Sequence, residues 1–470
     1  MKRLLLSLVT ILALVSCQTG TLDEIITTEE SLDLEGDYSF LQSKNSSTKN
    51  SFMVISKSET LSYKLEVSIK KYGDIVRTIP EIGIAIVRSS DPKFERNVLS
   101  INGVKSVVPD LTVNWLEPIN IKPMANPISI GDDDTSFNLQ WGLDAIDAPE
   151  AWNAGYQGSN TKVFVLDSGI DAEHPDLASN LNTELSASFV PDEDWNIQPG
   201  LYFNHGTHVA GIIAAVDNDR GIIGVAPMTE IVAVKVLSEY TGSGAFSGIN
   251  EGIVYAANNG ADVINMSLGA TLNKNGKFYD EDGNYEGKIP SKFIQEIVQA
   301  QQRAINYAYK KGVTIITSAG NSSMNADGNG STVVLPADLN NVITVSATAP
   351  FAWAYDTTTD LDEFASYSNY GTSLVDIAAP GGDFDSPYDY WWYDMVYSTV
   401  SEGYTWTAGT SMASPHVAGV AALIIGKNGG EMSPHNVAKQ LYNTADKIDT
   451  NGASDFYGKG RVNAYRAVTE

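Results

Sequence analysis

Cysteine is almost missing from this 470-residue chain, where Cys17 is the only one. One thiol forms no disulfide within a chain, so the fold must be stable without bridges. Histidine is scarce, with five residues, which leaves few places for an imidazole to ligate metal or move protons near neutral pH. Positive charge is short too: 30 Lys and Arg stand against 57 Asp and Glu, a formal net charge of -27. That balance repels nucleic acid and anionic membrane surfaces, so no nucleic-acid partner is expected, and it favours solubility. The amino-terminal apolar run, Leu4 to Val15, is too short to span a bilayer as a mature helix. What is plentiful is ordinary for a globular protein: 43% hydrophobic residues, 40 Gly and 22 Tyr. The length suits about three average domains or one large α/β domain with appendages.

Lys2 and Arg3 before the apolar run have the logic of an export signal. The run ends in Leu14-Val15-Ser16-Cys17, which resembles a bacterial lipoprotein signal whose cysteine becomes the lipidated first residue. Residues 1–17 are therefore expected to be a signal ending at Cys17, with a lipid anchor to the membrane at the cell envelope or surface. The competing reading is an ordinary signal peptide with an incidental cysteine. Residues 18–50, rich in Thr, Ser, Asp, Glu and Asn, read as a flexible tether. From Ser51 the stretches SFMVIS, IVRTI and IGIAIVRSS read as strands, and DPKFERNVLSI as a short helix, making a small α+β unit over 51–118. Residues 119–136, with their prolines and acidic cluster, read as an exposed linker.

Over 137–470 the pattern alternates. TKVFVL, TEIVAVKV, DVINMS, VTIITS and NVITVSA read as buried parallel strands, with amphipathic stretches such as GINEGIVYAANNG between them. That order implies an α/β fold, a doubly wound mostly parallel sheet flanked by helices, with ligands at the carboxyl ends of the strands. Asp167 directly follows one strand, His205 opens the stretch HGTHVAGIIAAV, and Ser411 begins a helix in AGTSMASPHVAGVAALI. An acid, a histidine and a serine in that order, each at an element end, suit an acyl-transfer triad. The serine-first elbow of α/β-hydrolases and the histidine-first order of the chymotrypsin arrangement do not fit.

The segments VFVLDSGIDAEHPDL, NHGTHVAGIIAA, DVINMSLG, TSAGN and GTSMASPHVAG together resemble the subtilisin-like serine peptidases, from about Trp141 to Val468. The resemblance implies Ser411 as nucleophile, His205 as general base and Asp167 as its orienting carboxylate, with the Asn321 amide and the Ser411 N–H as oxyanion donors. It also implies two strands that hold a peptide by its backbone, Ser267-Leu268-Gly269 and Gly242-Ser243-Gly244, with Ala319-Gly320 lining the pocket before the cleaved bond. The loop AAVDNDRGIIGVAP resembles the family's structural calcium loop. The matching ligands are the carbonyls of Val216, Arg220 and Ile222, the Asn218 side chain and Asp176, with Gln140 as a further candidate. No catalytic cofactor is implied. Residues 51–118 are similar to the propeptides that chaperone and inhibit such enzymes, so the chain is expected to be a self-processing, monomeric proenzyme. The polar stretch after Gly269-Ala270, residues 271–293, departs from small members and reads as an insertion at the cleft rim.

Blander readings compete. Histidines at 205 and 208 share a helix, but zinc peptidases use H-E-x-x-H, which is absent around them. His208, His174 and His416 then read as packed neighbours, and His435 as a surface residue. A non-catalytic binding protein on this fold would have lost at least one of Asp167, His205, Asn321 or Ser411, and all are present. A processing peptidase with one dedicated partner stays open, because the rim insertion permits it.

Overall fold

The computed structural model describes residues 50–116, 134–197, 204–279, 284–328, 330–385, 387–449 and 454–470. The expected signal with Cys17, nearly all of the tether and most of the 119–136 linker lie outside the described residues. No described helix is long and apolar enough to cross a membrane.

The first part of the chain runs β1 (Ser51–Ser56), α1 (Tyr63–Ile69), β2 (Asp74–Ile79), β3 (Ile84–Arg88), α2 (Phe94–Leu99), β4 (Val104–Pro109) and β5 (Thr112–Asn114). Four of these strands make an antiparallel sheet in the order β2-β3-β1-β4. Because side chains alternate along a strand, β1 divides its residues between two cores. Val54 packs with Leu65, Ile69, Phe94 and Val98 of the two helices. Met53 and Ile55 join Ile253, Ile294 and Ile297 of the larger part of the protein. The sequence pattern marks three strands and one helix here, and α1, β4 and β5 are additional. Helix α1 buries only Leu65 and Ile69, too little for a period to stand out, and Ser62 caps it by accepting the Leu65 N–H at 3.3 Å.

The larger part begins with α3 (Trp141–Ala145), α4 (Ala148–Asn153), β6 (Lys162–Asp167), β7 (Ala187–Ser188), α5 (His205–Ala214), β8 (Glu230–Lys235), β9 (Ser243–Ala245), α6 (Phe246–Asn258) and β10 (Val263–Met266). It continues with β11 (Ala270–Asn273), β12 (Lys277–Tyr279), β13 (Tyr285–Lys288), α7 (Ser291–Lys310), β14 (Thr314–Ser318), β15 (Thr332–Leu335) and β16 (Ile343–Ala349). Then come β17 (Glu363–Phe364), β18 (Ile377–Pro380), β19 (Val396–Val400), β20 (Gly403–Thr407), α8 (Thr410–Lys427), α9 (Pro434–Thr444) and α10 (Ala464–Thr469). The central sheet is ordered β17-β16-β14-β10-β6-β8-β7, with β18 also on β16, and every pair but β16–β17 is parallel. The five strands expected from the sequence are thus adjacent in one parallel sheet.

Both faces of that sheet are covered, as parallel sheets require. Val163 and Val165 of β6 pack with α5 and α8, whereas Phe164 and Leu166 pack with α6 and α7. Residues 271–293 are not simply a rim loop. Strand β11 pairs with β15 and buries Leu272, and Ile289 is buried as well. Strands β12 and β13 pair with each other and leave Tyr279 and Tyr285 exposed, and Ser291 already begins α7.

Candidate active site

Asp167 ends β6 and is 1% exposed. Its position follows from the strand: four buried apolar residues carry the chain through the core and deliver the next side chain to the sheet's carboxyl end. Both carboxylate oxygens lie 2.9 Å from His205 Nδ1. Oδ1 also accepts the Ser168 N–H at 2.6 Å, and Ser168 Oγ accepts the Gly206 N–H at 3.1 Å. Helix α5 approaches so closely that a Cβ on Gly206 would collide with the Gly169 carbonyl. The glycine in NHGTHVAG is therefore what lets His205 reach Asp167. Thr207 fixes the same turn, since its Oγ1 accepts the Asp171 N–H at 3.0 Å.

Ser411 is the second residue of α8 and donates its hydroxyl to the Ser267 carbonyl at 3.2 Å. The helix amino end supplies N–H groups and a positive dipole around it. Ser267 Oγ in turn lies 2.7 Å from the Ser411 carbonyl and 2.8 Å from Ser414 Oγ, so the serine is held on both sides. Asn321 follows β14, and its Oδ1 accepts both the Thr410 N–H at 3.0 Å and the Thr410 hydroxyl at 2.7 Å. An amide whose oxygen is held twice has a fixed orientation, leaving its Nδ2 as the donor beside Gly409. Thr410 is a residue that the sequence reading passed over, although its place between Gly409 and Ser411 was a signal.

The three other motif histidines are packed, as expected. His208 Nε2 lies 3.2 Å from the Thr405 carbonyl, and burial lowers its pKa to about 3. His416 Nδ1 lies 2.8 Å from the Met412 carbonyl, and burial lowers its pKa to about 4. His174 bridges the Gly403 carbonyl and the Asp176 N–H. His435 is exposed at the start of α9.

Residues 112–116 lie in the cleft. Strand β5 pairs antiparallel with β9, matching Val113 with Gly244 and Asn114 with Ser243. The Trp115 N–H reaches the Gly242 carbonyl at 3.4 Å, and the Gly269 N–H donates to the Trp115 carbonyl at 3.1 Å. Thus Gly242-Ser243-Gly244 and Ser267-Leu268-Gly269 flank one extended segment. The Trp115 indole donates to the Gly244 carbonyl at 2.9 Å, and its ring meets Phe246 edge-on at 4.7 Å. Ala319 and Gly320 are pinned by Asn369, which donates Nδ2 to the Ala319 carbonyl and its N–H to the Gly320 carbonyl.

The calcium-loop residues also come together. Asp176, fully buried, accepts from Ile222 N–H at 3.1 Å, Tyr404 Oη at 2.9 Å and Asn218 Nδ2 at 3.3 Å. Asp134 is equally buried and accepts from the N–H groups of Arg220 and Asn218. Asn218 Oδ1 is buried with no hydrogen-bond partner among the described residues. Two buried carboxylates and a spare amide oxygen are oxygen donors of the kind a hard cation takes. Gln140 is engaged elsewhere, donating to the Ile223 carbonyl and accepting the Ile223 N–H. Asp134 went unnoticed in the sequence because it ends an acidic run that read as linker.

Residues 158–460 match the Subtilase family. The chain is 37% identical over 330 residues to thermitase from Thermoactinomyces vulgaris, covering 70% of this chain and 95% of that protein. It is 38% identical over 332 residues to a subtilisin from Bacillus pumilus, covering 70% and 99%. Among solved structures, the epidermin leader peptide processing serine protease from Staphylococcus aureus superposes with a TM-score of 0.69 at 26% identity, covering 89% of this chain and 97% of that one. The chain therefore belongs to the subtilase family and is a subtilisin-like serine endopeptidase.

Proposed function

We propose that Ser411 is the nucleophile, His205 the general base, Asp167 the residue that orients it and Asn321 the oxyanion donor of this endopeptidase. The observation that carries the assignment is the His205–Asp167 contact at a buried strand end, with the His205 helix α5 packed in one core with the Ser411 helix α8. Asp167 accepting from Nδ1–H sets the tautomer in which Nε2 is the base, so that the Ser411 hydroxyl, on turning from the Ser267 carbonyl, passes its proton to Nε2 as Oγ attacks the scissile carbonyl. The proton then passes to the leaving amine, and water attacking by the same route releases the acyl group. The developing oxyanion is met by the Ser411 N–H and Asn321 Nδ2. A fluorophosphonate probe that labels the processed enzyme at Ser411, and fails to label Ser411→Ala, is the expected result. Labelling elsewhere would sink the assignment.

The N-terminal unit acts as propeptide and inhibitor. Its segment 112–116 is bound as substrate backbone would be, on both edges of the cleft. Cleavage between 118 and 137 then generates the mature enzyme, so Ser411→Ala should stay unprocessed in a host without other proteases. The family's structural calcium fits the Asp134, Asp176 and Asn218 cluster. When bound, it would cross-link the start of the mature chain to the 216–222 loop. Export through the amino-terminal signal, with lipidation at Cys17, places the enzyme at the cell envelope. Mass spectrometry of the mature amino terminus tests this. A dedicated processing role is the second reading, favoured by the added β12–β13 hairpin, which follows Gly269 in the chain, and by the leader-processing relative.

A further inference from the structure

Two loops beyond the cleft strands remain without a role, residues 350–362 after β16 and 383–395 after β18. One buried carboxylate ties them together: Asp394 accepts the Ala352 N–H at 2.8 Å and the Trp353 N–H at 2.7 Å. Between them is an open hollow of about 610 Å³ lined by Phe351, Tyr355, Asp356, Pro387, Tyr388 and Asp389. Phe351, Tyr355 and Tyr388 are 45%, 58% and 50% exposed, and a cluster of large apolar side chains left in water marks a contact site.

The rings are inclined to one another. Tyr388 stands 5.7 Å from Phe351 at 73° and 5.9 Å from Tyr355 at 59°, and Tyr390 continues the row 6.2 Å from Tyr355. Such rings wall a hollow, whereas a sugar-stacking platform needs coplanar faces. The wall is braced from behind by Tyr393, which contacts both Trp353 and the buried Trp406 of β20. Asp356 is fixed as an anion, since the Thr358 N–H and hydroxyl both donate to its Oδ1. No lysine or arginine occurs anywhere from Gly312 to Gly426, the stretch that carries both loops. Aromatic faces with two carboxylates, and no lysine or arginine among the described lining residues, are the chemistry that recognises an ammonium or guanidinium group.

We propose that this hollow is an exosite that binds lysine or arginine side chains of polypeptide substrates and draws basic segments to the cleft. The inference rests on the endopeptidase reading of Ser411. Position supports it. The Gly381 carbonyl accepts the Gly409 N–H at 3.0 Å, two residues before Ser411. Chain length alone then bounds the hollow to about 30 Å from the nucleophile, or roughly nine residues of extended substrate. Among the described residues none of the N-terminal unit lines the hollow, so segment 112–116 does not fill it.

The binding test uses full-length Ser411→Ala protein and a lysine-rich peptide, read by calorimetry. Tyr355→Ala/Tyr388→Ala and, with less risk to folding, Asp356→Asn/Asp389→Asn should each weaken binding about tenfold. Added salt should weaken the parent's binding as well, and a glutamine-for-lysine peptide should not bind. Equal affinity in parent and variants overturns the proposal, as does capture of a neutral oligosaccharide at this hollow in place of the lysine peptide. On processed enzyme, the same variants should lose about tenfold in kcat/KM through KM on a substrate with three lysines on each flank. They should keep their rate on a four-residue chromogenic peptide. Equal losses on both substrates overturn the exosite. A parent that cleaves neither substrate means that the endopeptidase reading has failed, while the binding measurement still decides the hollow.

Discussion

The Thr410 hydroxyl donates to Asn321 Oδ1 at 2.7 Å, so the residue before Ser411 sets the direction of the Asn321 amide. Asn321→Ala is expected to reduce kcat by about 100- to 1000-fold, the size found for the corresponding donor in subtilisin itself. Thr410→Val, which keeps the shape and removes the hydroxyl, should lower kcat by about tenfold at unchanged KM, as one neutral hydrogen bond allows. Thr410→Ser should restore it. Steady-state kinetics that leave Thr410→Val within twofold of the parent would remove this positioning role.

Gly206 is where helix α5 meets the Gly169 carbonyl. Gly206→Ala should push the helix outward, costing about 1–3 kcal/mol of stability by overpacking. The displaced His205 should also lower kcat. A thermal midpoint and activity both equal to the parent's would show that the approach is looser than described.

Glu95 has its pKa raised to about 7 by burial, partly offset by Lys292 of α7. A carboxyl raised on folding favours the folded state fully below its unfolded value near 4.5, and that contribution is lost as pH rises to about 7. Glu95→Gln in full-length Ser411→Ala should therefore flatten the dependence of the melting midpoint on pH between about 5 and 8. Most of the gain should appear at the alkaline end. A variant curve parallel to the parent's across that interval contradicts this.

Asp134 and Asp176 are buried acids in the 216–222 cluster. Stripping with chelator should lower the unfolding midpoint and refilling with calcium should restore it, because a ligand bound only to the native state stabilises it by mass action. Asp134→Asn should abolish most of that difference. A midpoint that ignores both chelator and calcium would show that the cluster holds no cation.

Five strands of the central sheet were legible because each is a run of β-branched and apolar residues buried on both faces, as in KVFVL before Asp167, whereas β7 and β17 have two residues each and β18 four, too short to stand out. Asp167, His205 and Ser411 stood out as candidates for a related reason, since each lies at the end or start of an element. Helix α1 and strand β4 were hidden because short elements carry too few apolar positions to show a period. The segment after Ala270 looked uniformly polar, yet β11 buries Leu272 against β15, a partner some sixty residues away that no local pattern names.

By itself, then, the sequence determined the parallel α/β sheet, the order Asp167, His205, Ser411 and the Gly-rich edges, because burial and tight turns restrict residue types locally. Tertiary structure alone decided which contacts those residues make. It placed Trp115 between Gly242 and Gly269, joined Asp134 to Asp176, and set Thr410 to hold Asn321. It also gathered Phe351, Tyr355 and Tyr388 into one hollow. Each of these is a meeting of distant segments or a side-chain orientation, fixed by packing against the finished core and invisible to local spacing.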